Sequence, residues 1–492
     1  MNKYDVIVIG SGAAGMMAAW KAAKAGLHCV VLEKGTNIVA SNAARCGGPS
    51  LADTKLQREE NATVSVERLF SHMYGFSRGT VHAALLHNAL EKGSEVENVL
   101  LDAGITMTLL EDTYGVGFRA RQLFTTQPVK RWQLLADTLK ALDVEIRLQV
   151  QAEHLIMDES DKVIGVEVTN LQELQSESDI QIHQENLYAD VMIVASGGYL
   201  GNEAMIKEHF GDIHVGPLGS KLSDGAGIRM VLEAGGMLDR NWGMCCNEFG
   251  GYHSKMIKRR SSNLYFAIGG GVLVDRNGRR FMNEQYMSDE PLSLGGEMTL
   301  REGIYYAVID DDYYHALENQ TLYDFYGRPG DWHAGKTTHD RKQPWKAEDL
   351  EKDISDGIAA KADTVETLAE KFGLFELTQT VAEYNRMCID GKDTVFGKAS
   401  YLMKPVVKAP FYIFEYEPSA WCTIGGVKTD EFCRALTPAS EPIEGLYVAG
   451  VDNGSCYSVP YYNNEGAAVG LAFTTGILAG ENAAEYVRKL NG

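Results

Sequence analysis

Three things are scarce in this 492-residue sequence: positive charge, paired cysteines and long uncharged stretches. Lysine and arginine number 46 against 67 aspartates and glutamates, a net charge of −21. A field of that sign repels phosphate backbones and anionic lipid, so neither nucleic acid nor a membrane surface is an expected partner. The eight cysteines form no C-x-x-C pair and no C-x-x-C-H, which excludes the usual zinc, c-type haem and iron–sulfur patterns, and no metal is expected. They read as reduced thiols in a cytoplasm, because Met1-Asn2-Lys3-Tyr4 runs straight into apolar Val6-Ile7-Val8-Ile9 rather than into a leader. The longest notable uncharged run, 15 residues between Glu465 and Glu481, falls short of the roughly 20 needed to span a bilayer. Repeats, low-complexity tracts and long linkers are absent as well.

What is plentiful is glycine, 51 residues, in a chain whose 45% hydrophobic share is ordinary for a packed protein of two or three folding units. Asp5-Val6-Ile7-Val8-Ile9 reads as a strand buried on both faces, Gly10-Ser11-Gly12-Ala13-Ala14-Gly15 as the turn opening an alanine-rich helix, and His28 to Leu32 as a second strand ending at Glu33. The spacing is that of a dinucleotide-binding turn. Gly10 makes the tight bend, Gly12 lets a pyrophosphate reach the backbone, Gly15 lets helix and strand pack, and the acid 18 residues after Gly15 can accept from ribose hydroxyls. NAD and FAD share this fingerprint. The small-residue loop Ser41-Asn42-Ala43-Ala44-Arg45-Cys46-Gly47-Gly48 suits a flavin.

From that loop onward the sequence resembles the FAD-binding flavoproteins of fumarate reductases, succinate dehydrogenases and 3-ketosteroid dehydrogenases. The resemblance covers most of the chain, at a β-ribbon from Val144 to Val168, the strand and loop Asp190 to Tyr199, the Ser223-Asp224-Gly225-Ala226-Gly227 segment and the last strand Gly445 to Gly450. It implies an α/β architecture, a Rossmann-like FAD-binding domain made of residues 1–236 and 404–492, with an inserted α+β capping domain at 237–403. It also implies a flavin held by Gly10, Gly12, Ala13, Ala14, Gly15, Glu33 and Lys34, then by Ser41, Asn42, Gly47 and Gly48. Farther along the chain the implied contacts are Ala195, Ser196, Gly197, Asp224, Gly450, Val451, Gly466, Ala467 and Ala468. Succinate dehydrogenases tether FAD through a histidine whose place here is taken by Ser41, so the cofactor is expected to be non-covalent.

The substrate end departs from the fumarate reductases. Asn463 stands where the resemblance puts their carboxylate-clamping arginine, Trp421-Cys422 where it puts their histidine, and Ser288 where it puts their proton-delivering arginine. Toward the 3-ketosteroid dehydrogenases the fit at the C-terminal motif is better. Tyr462 and Gly466 fall on the tyrosine and glycine that polarise a substrate carbonyl, while the proton-transferring tyrosine would fall at Ser288, with Tyr286 close by. The resulting expectation is an FAD oxidoreductase that reduces or introduces a C=C bond conjugated to a carbonyl, with Tyr462, Gly466, Tyr286 and Ser288 as catalytic residues and an external electron donor or acceptor. The alternatives are an enoate reductase of the fumarate or urocanate kind using Arg119, Arg121 or Arg131, and a degenerate electron-transferring flavoprotein.

Overall fold

The computed structural model describes residues 3–112, 115–171, 184–247, 250–268, 271–332, 342 and 344–492. Its main sheet begins where the glycine fingerprint does. Strand β1 (Lys3–Ile9) leads through the turn into α1 (Ala13–Lys24) and back into β2 (Cys29–Glu33). β1 and β2 are parallel neighbours in register Val6 to Cys29 through Ile9 to Leu32. Successive side chains point to opposite faces. Val6, Val8 and Val31 therefore pack with Met16, Met17 and Ala18 of α1 on one face, and Ile7, Ile9, Val30 and Leu32 with Ile228 and Val231 on the other.

The sheet continues with β3 (Glu145–Leu148), the ribbon β4 (Val150–Met157) and β5 (Val163–Asn170), then β6 (Gln184–Val194), β7 (Arg434–Leu436) and β8 (Pro442–Val448). Spatial order is β7-β8-β6-β1-β2-β3, with the ribbon joined through β5 to β6. Both halves of the expected discontinuous domain thus meet in one sheet, β8 lying parallel to β6. Helix α2 (Ala467–Asn491) packs along α1. A Cβ at Gly476 or Gly480 would strike the carbonyls of Ala14 and Ala18, so those glycines let the two helices touch.

The insertion carries its own antiparallel sheet, in the order Val272–Val274, Tyr305–Ile309, Phe411–Tyr416, Ala359–Ala362. Its third strand lies beyond residue 403, so the pairing carries the inserted sheet past the boundary drawn from sequence, up to Tyr416. A short sheet of Gly243–Cys246, Ser419–Ile424 and Gly216–Pro217 bridges to the flavin-type domain and delivers Cys245, Trp421 and Cys422 to the cavity described next. Among the described residues no helix is long and apolar enough to cross a membrane.

Candidate active site

One elongated cavity, 440 Å³ in volume, runs from the fingerprint turn to the first turn of α2. At the fingerprint end, α1 starts at Gly12, whose lack of a side chain leaves the helix uncapped, and Ala13 and Ala14 of the first turn line the cavity. Uncapped amides at a helix N-terminus form an anion site. Glu33, 7% exposed, accepts from the Ser11 amide (3.0 Å) and hydroxyl (2.7 Å) and from the Gly35 amide (2.7 Å), which fixes the shape of the turn. Lys34 pairs with Asp224 at 2.8 Å. Opposite, the Ala195-Ser196-Gly197 loop is pinned by Asp452, a fully buried carboxylate that accepts from the amides of Ser196, Gly197 (3.0 Å) and Gly198 (2.8 Å). Burial pushes the Asp452 carboxyl above its ordinary value, and the three amides offset part of that. The sequence reading did not single out Asp452; its chemistry appears only once β6 and β8 are neighbours.

Of the expected cofactor residues, Gly15 and Ala467 lie behind the lining and the others form it. Gly15 is pressed against the Gly10 carbonyl, as close helix–strand packing requires. The residues fit an FAD. The uncapped amides at the start of α1 open onto this lining, a ready site for the phosphates of such a ligand.

At the other end two loops converge. Residues 47–51 pair with 120–124 through Gln122 amide to Pro49 carbonyl (2.8 Å), Phe124 amide to Gly47 carbonyl (2.8 Å) and Leu51 amide to Ala120 carbonyl (3.0 Å). The Ser50 amide donates to the Gly466 carbonyl at 3.0 Å, which brings in the start of α2. Gly466, at φ +84°, adopts a left-handed conformation that a side chain would strain, and its Cβ would crowd Gly48 and Ser50. This weave places Arg121 on the cavity wall, where it is ion-paired with Glu465, each largely buried. Arg131 has a different task. It is buried, stacks 4.4 Å over Phe124, and donates to the Ala44 (2.8 Å) and Cys46 (2.7 Å) carbonyls, shaping the 43–48 loop. Arg119 turns away to Glu60 and Glu111.

The expected catalytic set is only partly assembled here. Gly466 lines the cavity, but Tyr462 does not: it is fully buried and donates its hydroxyl to the Cys456 carbonyl at 3.0 Å. Its neighbour Tyr461 lines the cavity instead. The Tyr461 oxygen accepts the Ala468 amide of the first turn of α2 at 2.5 Å, and its own proton has no acceptor among the described residues. Burial holds its pKa well above a phenol's ordinary value, so it is a neutral donor. Tyr286 and Ser288 belong to a short helix, Tyr286–Asp289, of the inserted domain and line neither the cavity nor its mouth. Ser288 is bound to the Gln285 carbonyl (2.9 Å) and the Asp289 carboxylate (3.0 Å). The preceding segment Arg280-Phe281-Met282-Asn283-Glu284 is likewise turned inward: Arg280 is held by Glu284 (2.7 Å) and Asp393 (2.8 Å) inside the inserted domain. Cys245 and Cys422, cross-strand partners, both line the cavity, whereas Cys246, next along the strand, faces the opposite core.

This combination of a fingerprint turn, a pinned glycine loop and a long cavity ending on a helix N-terminus defines a flavin-dependent oxidoreductase. The chain belongs to the FAD binding domain family, whose model matches residues 5–469. It is 27% identical to the vinyl phenol reductase of Lactiplantibacillus plantarum over 99% of this chain and 98% of that one. It is 24% identical to the NADH:fumarate oxidoreductase of Klebsiella pneumoniae over 99% of this chain, spanning 48% of that longer protein. Among solved structures, the 3-ketosteroid delta1-dehydrogenase from Sterolibacterium denitrificans superposes with a TM-score of 0.71 at 20% identity, covering 99% of this chain and 100% of that one, a likeness of fold. The protein is an FAD-dependent oxidoreductase acting on CH–CH groups.

Proposed function

We propose that the protein reduces a C=C bond conjugated to the oxygen of a neutral acceptor, an enone or a vinyl phenol. The observation that supports this is how charge is paired along the cavity. Arg121 is neutralised by Glu465 and Lys34 by Asp224, while the Tyr461 hydroxyl keeps a proton for an incoming oxygen. Trp421, Leu292, Cys245 and Cys422 add walls with little polarity. In the oxidised enzyme a dicarboxylate would find Arg121 and Lys34 already neutralised, which leaves the exposed Arg45 as the cation on the lining that it could meet. The full-length similarity to a vinyl phenol reductase agrees with a neutral substrate and with the reductive direction.

Bound FAD supplies the electron pair. The chain supplies position and polarisation: Tyr461 donates to the substrate oxygen, pulling electron density from the C=C, and the Gly466 turn gives the substrate room beside the ring. Gly10, Gly12, Ala13 and Ala14 with Glu33, Lys34, Ser196, Gly450 and Val451 line the cavity and would hold the cofactor. An external donor recharges the flavin. A second reading, an enoate reductase, is favoured by the presence of Arg121 and the exposed Arg45 on the wall. The deciding experiment is anaerobic reduction followed by a reoxidation screen with enones, vinyl phenols, urocanate and fumarate. Rapid reoxidation by a neutral compound is expected, and faster reoxidation by fumarate than by any neutral compound would overturn the proposal.

A further inference from the structure

A C=C reduction delivers hydrogen to two carbons, and the residues expected from sequence to provide the second, Tyr286 and Ser288, are not at the cavity. Behind Arg121 and Glu465 lies a second, small cavity of 20 Å³, room for one water. Arg121 and Glu465 line both spaces and so form the wall between them. Three buried polar atoms of the chamber's lining residues have no partner among the described residues: Arg121 Nε, Asn463 Oδ1 and Asn464 Nδ2. Two donors and one acceptor are the complement of a water, which would accept from the arginine and Asn464, donate to Asn463, and keep one proton for a fourth partner. Half-buried Asp112 and exposed Glu111 line the outer side of the same chamber.

We propose that Glu465 is the acid that protonates the substrate carbon, and that the chamber behind it, with one bound water held by Asn463, Asn464 and Arg121, resupplies its proton from Asp112, Glu111 and solvent. This rests on the C=C-reducing reading above. The balance is simple: one carbon receives hydrogen with an electron pair from the reduced flavin, the other receives a proton from the Glu465 carboxyl, and Glu465 returns to the carboxylate paired with Arg121 until the water reprotonates it. The electrons come from a two-electron donor outside the chain. Arg121 favours the charged form of Glu465; a flavin bound in this cavity would gain negative charge on reduction and favour the protonated form, so that proton uptake would accompany reduction. The other titratable groups around the chamber are Arg119 and His72, whose Nε2 lies 3.1 Å from the Asn463 carbonyl. On the cavity side the lining adds Tyr461, Cys46, Cys245, Cys422 and Arg45.

The test uses the FAD-loaded protein. Infrared difference spectra on dithionite reduction should show a new carboxylic-acid C=O band that shifts in D2O and is missing from Glu465→Gln; its absence from the parent would overturn the proposal whatever the substrate. With a C=C compound that reoxidises the parent, Glu465→Gln should react at least a hundredfold more slowly with unchanged binding to the oxidised enzyme. Glu465→Gly should regain rate with added formate, which a merely structural role would not allow. A Glu465→Gln enzyme at the parent rate sinks the proton route alone and leaves the C=C reading standing. If no C=C compound reoxidises the parent, that reading falls and the acid role of Glu465 falls with it.

Discussion

Adjacent tyrosines at 461 and 462 allow a controlled comparison, because each can lose its hydroxyl while keeping its ring. Both are buried, 2% and 0% exposed, and their rings contact edge to face with centroids 6.1 Å apart. Tyr461→Phe leaves the Ala468 amide without its acceptor, and Tyr462→Phe leaves the Cys456 carbonyl without its donor. An orphaned buried group of this kind costs about 1–3 kcal/mol, so both variants should melt at lower temperature by similar amounts. Their kinetics should part. If the Tyr461 proton stabilises the charge that grows on the substrate oxygen, its loss costs about 2.7–4 kcal/mol in the chemical step, a hundredfold to a thousandfold. The Tyr462 hydroxyl is spent on its own backbone, and removing it should change the rate by less than about threefold, the scale of a small indirect shift. Rapid mixing of reduced enzyme with the best neutral substrate, followed at the flavin absorbance, measures both. Equal rates for Tyr461→Phe and the parent, or equal losses in the two variants, would refute the assignment.

Acid precipitation should release all the flavin into the supernatant, because Ser41, on the cavity lining, offers no imidazole to the ring; colour in the pellet would contradict this. Asp452→Asn replaces a buried acceptor of three amides with a group that can accept fewer. It should weaken FAD retention at least tenfold in a fluorescence release assay and destabilise the fold by about 1–3 kcal/mol, and unchanged retention would dissociate the loop from the cofactor. Burial alone would raise the Asp393 carboxyl, but hydrogen bonds from Arg280 and from the Phe396 and Val395 amides outweigh it and hold the group well below its ordinary value. A depressed folded pKa gives stability that is present above the unfolded value of about 3.9 and is lost as pH falls below it. Melting temperature should therefore fall more steeply below pH ~4 for the parent than for Asp393→Asn, and parallel slopes would remove Asp393 from the account.

The flavin cradle was legible because its signals are local. Gly10, Gly12, Gly15 and Glu33 form one βαβ unit, in which Gly15 is demanded by the Gly10 carbonyl five residues back and Gly10 by the Ala195 carbonyl across one strand. The substrate end was not, because its geometry is set by which of several possible partners each side chain meets once the chain is folded. Which of Tyr461 and Tyr462 faces the ligand is decided by where the Ala468 amide and the Cys456 carbonyl lie. Arg119, Arg121 and Arg131 look interchangeable as a string, yet one meets surface acids, one meets Glu465 at the cavity, and one meets loop carbonyls. Ser288 and Tyr286 were placed by motif spacing, and the Ser288 hydroxyl is taken up by the Gln285 carbonyl and the Asp289 carboxylate of its own turn. The pairing of Phe411–Tyr416 with Tyr305–Ile309 is likewise invisible in composition.

The cavity lining begins at Ile9 and ends at Ala472, and the close seam of α1 with α2 is what brings those ends together. At a synthesis rate of roughly 5–20 residues per second, β1 and its glycine turn wait roughly 20–90 s on the ribosome before the opposite wall exists. During that interval β6 lacks its β8 neighbour, and the apolar face of α1 lacks the helix that covers it. Cofactor loading is therefore a late event in the life of each molecule, and truncations that remove α2 should yield a chain that neither binds FAD nor stays out of chaperone hands.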